Sequence, residues 1–354
     1  MTQYLSDKLR VLSLISIIFV LYIHSRFQPN EIMGMVYYDK IQLFTSEMIG
    51  RCAVPLFYLI SGYLFFMKVP DGVKSIGRKI RKRIKSLLIP YFIGCLFFVI
   101  FYSFVALLPW TSNLINSSSS IIPLFQKPYS IILISIFYDG GTGYPCAFQL
   151  WFLRDLILIV ATSPLWYICL RYLKWAFVAV VFVLTYFDVP HVPFLSLFWF
   201  ALGEQLTKVK IEMGEVNGRT KVAIFGLCLF LIISIIQLFF PNIIDWSLLR
   251  IPIILLGIIG AWGLYDVVMG KDFSLSQHRW LATACQFTFF IYLFHEPTLN
   301  IVRKLIVVVL GKNEFGYMAS YLLSPWIFTV CAVFAGLLFR KYLPRVYDVC
   351  TGGR

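Results

Sequence analysis

Long apolar runs separated by short polar segments make up most of this chain. A helix needs about 20 apolar residues to cross a hydrocarbon core of ~30 Å, and no polar linker divides the runs. We therefore predict one all-α membrane domain, residues 1–354, with about ten transmembrane helices. The candidate helices are residues 9–26, 47–67, 87–108, 149–170, 174–187, 193–207, 220–240, 247–268, 282–302 and 317–340. A shorter apolar stretch, residues 129–138, indicates an interfacial or re-entrant piece of a long loop.

Composition supports a membrane protein over a soluble one. The chain is 60% hydrophobic and 14% charged, whereas soluble domains are about 45–50% apolar and about 25% charged. The net charge of +14 does not indicate nucleic-acid binding, because the basic residues lie between apolar runs rather than on a soluble module. Eight cysteines occur without a C-x-x-C pair, which predicts neither a zinc site nor a disulfide framework.

The distribution of lysine and arginine predicts the orientation. Short loops rich in these residues stay on the cytoplasmic side, and the loop after the second predicted helix is the most basic. It carries Lys68, Lys74, Arg78, Lys79, Arg81, Lys82, Arg83 and Lys85. Alternate connections agree, so we expect both termini in the cytoplasm. The basic loop has two interpretations: topology and contact with anionic membrane lipids, or attraction of a phosphorylated substrate.

Several ionisable residues fall inside the predicted helices at one depth, near the outer side. Each costs about 2.5–3.5 kcal/mol at the membrane centre, so each is a candidate functional residue. The group comprises His24, Glu47, Arg51, Arg154, Asp155, Arg250, His295 and Glu296, with Trp151 beside Arg154. Two simpler explanations stay open: charged residues snorkel at helix ends, and Glu47 and Arg51, four residues apart, can pair with each other.

His24 is the candidate catalytic residue. An imidazole with a pKa near ~6.5 is suited to take a proton from a hydroxyl at neutral pH. Acyl transfer from a thioester to an alcohol needs such a base, together with positive charge where the oxyanion develops, which Arg51 or Arg154 could supply. A buried structural histidine is the alternative. Ser61-Gly62 is interpreted as close helix packing rather than as a nucleophile, because hydrolase motifs such as G-x-S-x-G are missing.

Segments in order along almost the whole chain resemble the acyltransferase-3 family of bacterial integral membrane O-acyltransferases. They are Lys8-Leu9-Arg10 through Ile23-His24-Ser25, Val54-Pro55 through Tyr63-Leu64, Lys82-Arg83 through Pro90-Tyr91, Leu150-Trp151-Phe152-Leu153-Arg154, and Ile291-Tyr292-Leu293-Phe294-His295-Glu296-Pro297. The resemblance implies that His24 is essential and catalytic.

The resemblance also implies where the substrates bind. The family's partner arginine usually stands eleven residues before the histidine, where this chain has Ser13; Arg10 stands fourteen before His24. The family has an Arg-x-x-Arg motif before its third helix. This chain has Arg83 at the first arginine position and Ser86 at the second. The predicted substrate and acyl-donor residues are Arg10, Arg51, Arg83, Trp151, Arg154, His295 and Glu296.

The function expected from these observations is transfer of an acyl group, most often acetyl from acetyl-CoA, to a hydroxyl of a carbohydrate or lipid-linked sugar of the cell envelope. Acyl-CoA is a co-substrate, and no permanently bound cofactor or metal is expected. The expected location is the bacterial inner membrane. A transporter or flippase of a lipid-linked sugar is the alternative from another class, and broken helices in two repeated halves would favour it. A purely structural membrane subunit is the third.

Overall fold

The computed structural model describes residues 1–29, 31–32, 34–67, 73–106, 134–138, 143–187, 192–209, 216–241, 243 and 245–353, and all regular structure in these ranges is helical. The helices are α1 Gln3–His24, α2 Val36–Gln42, α3 Ala53–Phe66, α4 Val73–Ala106, α5 Trp151–Ala161, α6 Ser163–Tyr172, α7 Trp175–Leu184, α8 Phe194–Leu206, α9 Gly218–Phe239, α10 Trp246–Met269, α11 Arg279–Gln286, α12 Thr288–Leu310, α13 Glu314–Tyr342 and α14 Pro344–Thr351. A π segment, Leu43–Ile49, and a 3-10 turn, Gly50–Cys52, join α2 to α3. Further 3-10 turns, Phe148–Leu150 and Leu275–Gln277, precede α5 and α11.

A helix overlaps each of the ten predicted segments, but several bounds differ. The predicted helix 149–170 is two helices, α5 and α6, bent by 66° at their junction, where Pro164 stands in the first turn of α6. The predicted helix 282–302 is divided between α11 and α12. Of the short apolar piece predicted at 129–138, the described residues include only 134–138.

Five helical segments in the described part are long and apolar enough to cross a membrane: residues 36–66, 76–105, 218–239, 246–269 and 314–342. Counting the bent pair α5–α6 as one span gives six. The chain is therefore a multi-pass membrane protein. The helices α1 and α12 are as long, with 22 and 23 residues, but carry more polar side chains. They pack against each other, and α1 also packs against α3, α10 and α13, so polar residues such as Lys8, His295 and Arg303 are buried against protein.

Two glycines allow α3 and α8 to pack with their backbones in contact. A Cβ at Gly62 would meet the backbone carbonyl of Phe200, and one at Gly203 would meet the carbonyl of Leu59. Small residues permit such close approach of membrane helices. This contact agrees with the interpretation of Ser61-Gly62 as a packing element.

A buried ion pair holds the N-terminal end of α1 against α10. Lys8 Nζ lies 2.7 Å from Asp266 Oδ1, and both side chains are fully buried. The Tyr4 hydroxyl donates to the same carboxylate oxygen, and the ammonium lies 4.1 Å from the centre of the Trp262 ring. The preceding residue, Asp7, accepts a hydrogen bond from the backbone N–H of Leu275. These contacts fix the position of α1 along its own axis.

Candidate active site

A cavity of about 690 Å³ opens beside the first half of α1. Its walls come from α1, α3, α4, α5, α8, α11, α12 and α13, and most of them are apolar. The charged and hydroxyl side chains in its lining include Ser6, Arg10, Ser13, Ser61, Arg83 and Arg340. Two of the predicted donor residues, Arg10 and Arg83, therefore lie in one cavity. Arg340, which the sequence analysis did not single out, adds a third guanidinium.

The structure brings together two predicted site residues that are far apart in sequence, His24 and His295. His24 is the last residue of α1, and its ring centre lies 4.8 Å from that of His295 on α12. On another side, the His24 ring lies 5.7 Å from the ring of Phe148. Two imidazoles in contact within a helical bundle can bind and transfer protons.

The orientation of His295 is fixed by a backbone carbonyl. Its Nδ1 lies 2.6 Å from the carbonyl oxygen of Tyr292. Because a carbonyl only accepts, Nδ1 carries the proton, and Nε2 of the neutral ring holds a free lone pair. The His295 side chain is fully buried, and Nε2 has no hydrogen-bond partner in the described part of the chain.

A break in α12 lies directly after His295. Pro297 has no N–H to donate and restricts the residue before it, and Glu296 accordingly has the non-helical angles φ −103° and ψ 132°. The Glu296 carbonyl is turned out of the helical hydrogen-bond pattern and accepts from Gln149 Nε2 at 3.4 Å. Glu296 itself is buried, with 5% of its surface exposed.

Gln149 is a site residue that the sequence analysis missed. It lies in the 3-10 turn before α5, is 2% exposed, and its backbone carbonyl accepts a hydrogen bond from the Tyr292 hydroxyl at 3.2 Å. The sequence feature that could have identified Gln149 is its position directly before the segment Leu150-Trp151-Phe152-Leu153-Arg154. A polar residue there joins the turn to α12.

Tyr292 connects the cavity to the two histidines. Its side chain belongs to the cavity lining, and its carbonyl orients His295. Arg10 and His24 are fourteen residues apart on one helix, which corresponds to roughly 21 Å at ~1.5 Å per residue. The arginines of the cavity and the imidazoles therefore stand at opposite ends of α1.

The contacts of Arg51 are with a neighbouring carboxylate. Its guanidinium pairs with Glu47, which also accepts from Arg26 NH1 at 2.6 Å, and the Arg51 side chain is 52% exposed. The pairing of Glu47 with Arg51, one of the two simpler explanations above, is therefore present. The shared depth predicted for the ionisable residues does not by itself place this arginine against His24.

Arg154 is also engaged by groups close to it. It binds Asp155 at 2.8 Å and donates to the carbonyl oxygens of Phe137 and Gly143 at 3.3 and 2.8 Å. Its charge is thus neutralised next to the segment that precedes α5. Trp151, the first residue of α5, is partly buried and packs against the main apolar core.

Comparison with known proteins defines the class to which this chain belongs. The family model described as an acyltransferase domain, Acyl_transf_3, matches residues 7–339. The chain belongs to the acyltransferase-3 family, and it is an O-acyltransferase. This assignment favours the enzyme over the transporter and the structural subunit considered above.

One relative is similar over nearly its whole length. The succinoglycan biosynthesis protein ExoH of Rhizobium meliloti (strain 1021) is 24% identical over 378 residues, which cover 100% of this chain and 94% of the relative. No solved structure gives a significant match.

Proposed function

We propose that this protein transfers an acyl group, most often acetyl, from acyl-CoA to a hydroxyl of a carbohydrate or lipid-linked sugar of the bacterial cell envelope, with His24 as general base. The observation that carries the proposal is the contact between His24 and His295, with ring centres 4.8 Å apart. Tyr292, whose carbonyl oxygen lies 2.6 Å from His295 Nδ1, also lines a cavity that contains three arginines.

The cavity suits the acyl donor. Its volume of about 690 Å³ lies within the ~300–1,000 Å³ usual for small-molecule sites. Arginine side chains bind phosphate oxygens through charge-assisted hydrogen bonds, so Arg10, Arg83 and Arg340 are suited to the phosphates of coenzyme A. The apolar walls between them and Tyr292 are suited to the pantetheine arm. Acyl-CoA enters and leaves as a co-substrate.

The proposed reaction is a single acyl transfer. The acceptor hydroxyl oxygen attacks the thioester carbonyl carbon while His24 takes the hydroxyl proton. The carbon–sulfur bond then breaks, and His24 gives this proton to the sulfur, so that coenzyme A leaves as the thiol and the neutral imidazole is restored. His295, in contact with His24, supplies an oriented lone pair at Nε2 for a hydroxyl hydrogen.

The acceptor is proposed from the polar chemistry of the site and from the relative. ExoH is named for the biosynthesis of succinoglycan, a sugar polymer, which supports a carbohydrate acceptor here. We assign the protein to the bacterial inner membrane, with about ten spans and both termini in the cytoplasm. In this arrangement His24 lies towards the outer face, and the acyl group crosses the bundle on the pantetheine arm.

The activity is tested with purified protein and radiolabelled acetyl-CoA. We expect release of labelled acetate in water and labelled ester in the presence of a sugar acceptor. Propionyl-CoA and butyryl-CoA in parallel measure the preferred chain length. A folded protein that neither hydrolyses nor transfers from any of these thioesters would contradict the proposal.

The position of the transfer step is tested separately by thiol labelling. Gln28 is exposed just beyond α1, so a Gln28→Cys substitution in a cysteine-free background reports which side this end faces. In spheroplasts, whose periplasmic face is accessible, we expect the cysteine to react directly with a membrane-impermeant maleimide. In inverted vesicles, which enclose the periplasmic face, we expect reaction only after permeabilisation. The opposite pattern would place His24 near the cytosol and remove the transmembrane route.

A further inference from the structure

Two hydrogen-bond acceptors are buried without partners beside the histidine pair. They are His295 Nε2 and Gln149 Oε1, and neither is bonded to any group in the described part of the chain. Their side chains belong to residues that are 0% and 2% exposed. Buried polar atoms in native proteins are almost always hydrogen-bonded, so each exception calls for an explanation.

Both side chains are held through their other polar atom. Nδ1 of His295 is bound to the Tyr292 carbonyl at 2.6 Å, and Nε2 of Gln149 donates to the Glu296 carbonyl at 3.4 Å. Each side chain therefore has one atom anchored on the same five-residue stretch of α12 and one atom unused. The unused atoms, a carbonyl oxygen and an imine-type nitrogen, are both acceptors.

Acceptors in this arrangement can take hydrogens from a bound molecule. A hydroxyl-rich molecule can supply them, because each hydroxyl donates one hydrogen bond. The arginines that suit coenzyme A phosphates stand at the other end of α1, whereas Gln149 follows Phe148, whose ring faces His24. The acceptor substrate is thus the ligand whose hydroxyls fit this position.

We propose that Gln149 and His295 form the subsite for the acceptor sugar, in which Gln149 Oε1 takes a hydrogen bond from a hydroxyl adjacent to the one that is acylated. The inference rests on the proposed function and adds a specificity residue to it. It predicts that the enzyme prefers a vicinal diol to an isolated alcohol. A site that hydrogen-bonds a substrate hydroxyl rejects the analogue that lacks it, because the protein group is then left unpaired.

The experiment uses Gln149→Met, which keeps the length of the side chain and removes both the unused Oε1 acceptor and the Nε2 donor that bonds the Glu296 carbonyl. The probe is methyl glucoside, with its monodeoxy analogues as acceptors and acetyl-CoA as donor. We expect wild-type protein to prefer methyl glucoside over one monodeoxy analogue about 10- to 100-fold in kcat/KM. The variant should lose that preference, while the KM for acetyl-CoA stays within about twofold.

Gln237 offers a matched control. It is also a nearly buried glutamine, 9% exposed, its Nε2 donates to the Pro241 carbonyl at 3.1 Å, and its Oε1 is likewise unpartnered in the described residues. It lies near the end of α9, and its anchoring hydrogen bond is to Pro241, four residues further on. Gln237→Met should therefore retain the wild-type preference among the acceptors.

The outcomes separate the subsite from the overall function. If the wild-type protein hydrolyses acetyl-CoA but does not discriminate among the sugar probes, the proposed subsite is wrong. This measurement uses only wild-type protein and does not depend on the folding of a variant. A rise in KM for acetyl-CoA in Gln149→Met, with acceptor preference unchanged, also overturns it, because the donor then occupies the position. A wild-type protein with neither hydrolysis nor transfer contradicts the proposed function itself.

Discussion

The two ends of α1 treat buried polar groups in opposite ways. At the N-terminal end, Lys8 and Asp266 are both fully buried and their charges cancel at 2.7 Å. At the C-terminal end, His24 contacts His295, and the lone pair of His295 Nε2 is left unused. A neutralised ion pair stabilises the packing of one helix against another, whereas two imidazoles in contact can bind and transfer protons. The comparison supports an anchor at the first end and agrees with the proposed reaction centre at the second.

The largest expected effect is on the reaction-centre side. His24→Ala should lower acyl transfer by about 10²- to 10⁴-fold, since general-base catalysis contributes that much, while the protein stays folded and membrane-inserted. The measurement is the rate of labelled ester formation, with size-exclusion chromatography in detergent to check the fold. His278→Ala, at an exposed histidine stacked on Phe273, is the control. Retained activity in His24→Ala would rule out the base role.

The second prediction concerns the anchor formed by Lys8 and Asp266. Lys8→Met leaves the Asp266 carboxylate buried without its counter-charge, which we expect to cost about 3–5 kcal/mol of stability. Lys208→Met removes a cation that is 47% exposed and paired with Glu204 at 2.9 Å, and should cost at most about 1 kcal/mol.

Thermal denaturation in detergent compares these two lysine variants. The double variant Lys8→Met/Asp266→Leu should recover much of the lost stability, because no isolated charge remains. Equal losses from Lys8→Met and Lys208→Met would show that the anchor does not depend on the buried pair.

The third prediction concerns the cavity beside the first half of α1. Arg10→Gln and Arg83→Gln should each raise the KM for acetyl-CoA about tenfold, because each removes a charge-assisted contact with phosphate. Added salt should weaken donor binding in the wild type more than in either variant. Arg171→Gln, at an exposed arginine on α6, is the control. An unchanged KM in both cavity variants would remove these arginines from the donor site.

The smallest effect is expected at Arg51. Because this side chain is 52% exposed and paired with Glu47, Arg51→Gln should change stability by at most about 1 kcal/mol and the acyl-transfer rate only slightly. The rate assay used for His24→Ala measures it. A loss of a hundredfold or more would show that Arg51 acts directly in the reaction, as the sequence interpretation first suggested.

The pattern of apolar runs predicted the helical fold because helix length in a membrane is set by hydrocarbon thickness. It did not predict the 66° bend between α5 and α6, since the apolar run 149–170 continues across the junction. The sequence supports the pairing of Arg51 with Glu47 as one open explanation, and the structure contains that pair. The pairing of Arg154 with Asp155 was not singled out from the sequence.

The sequence by itself determined that the chain is a helical membrane protein and, through His24, Arg83 and the segment Tyr292 to Pro297, that it resembles an acyltransferase. These features depend on local composition and on motifs within single helices. Only the tertiary structure decided that His24 meets His295, that Lys8 is cancelled by Asp266, and that Gln149 reaches the break in α12. Such pairings join residues more than a hundred positions apart, and they form only when the helices pack, because interhelical contact depends on the shape and depth of whole faces.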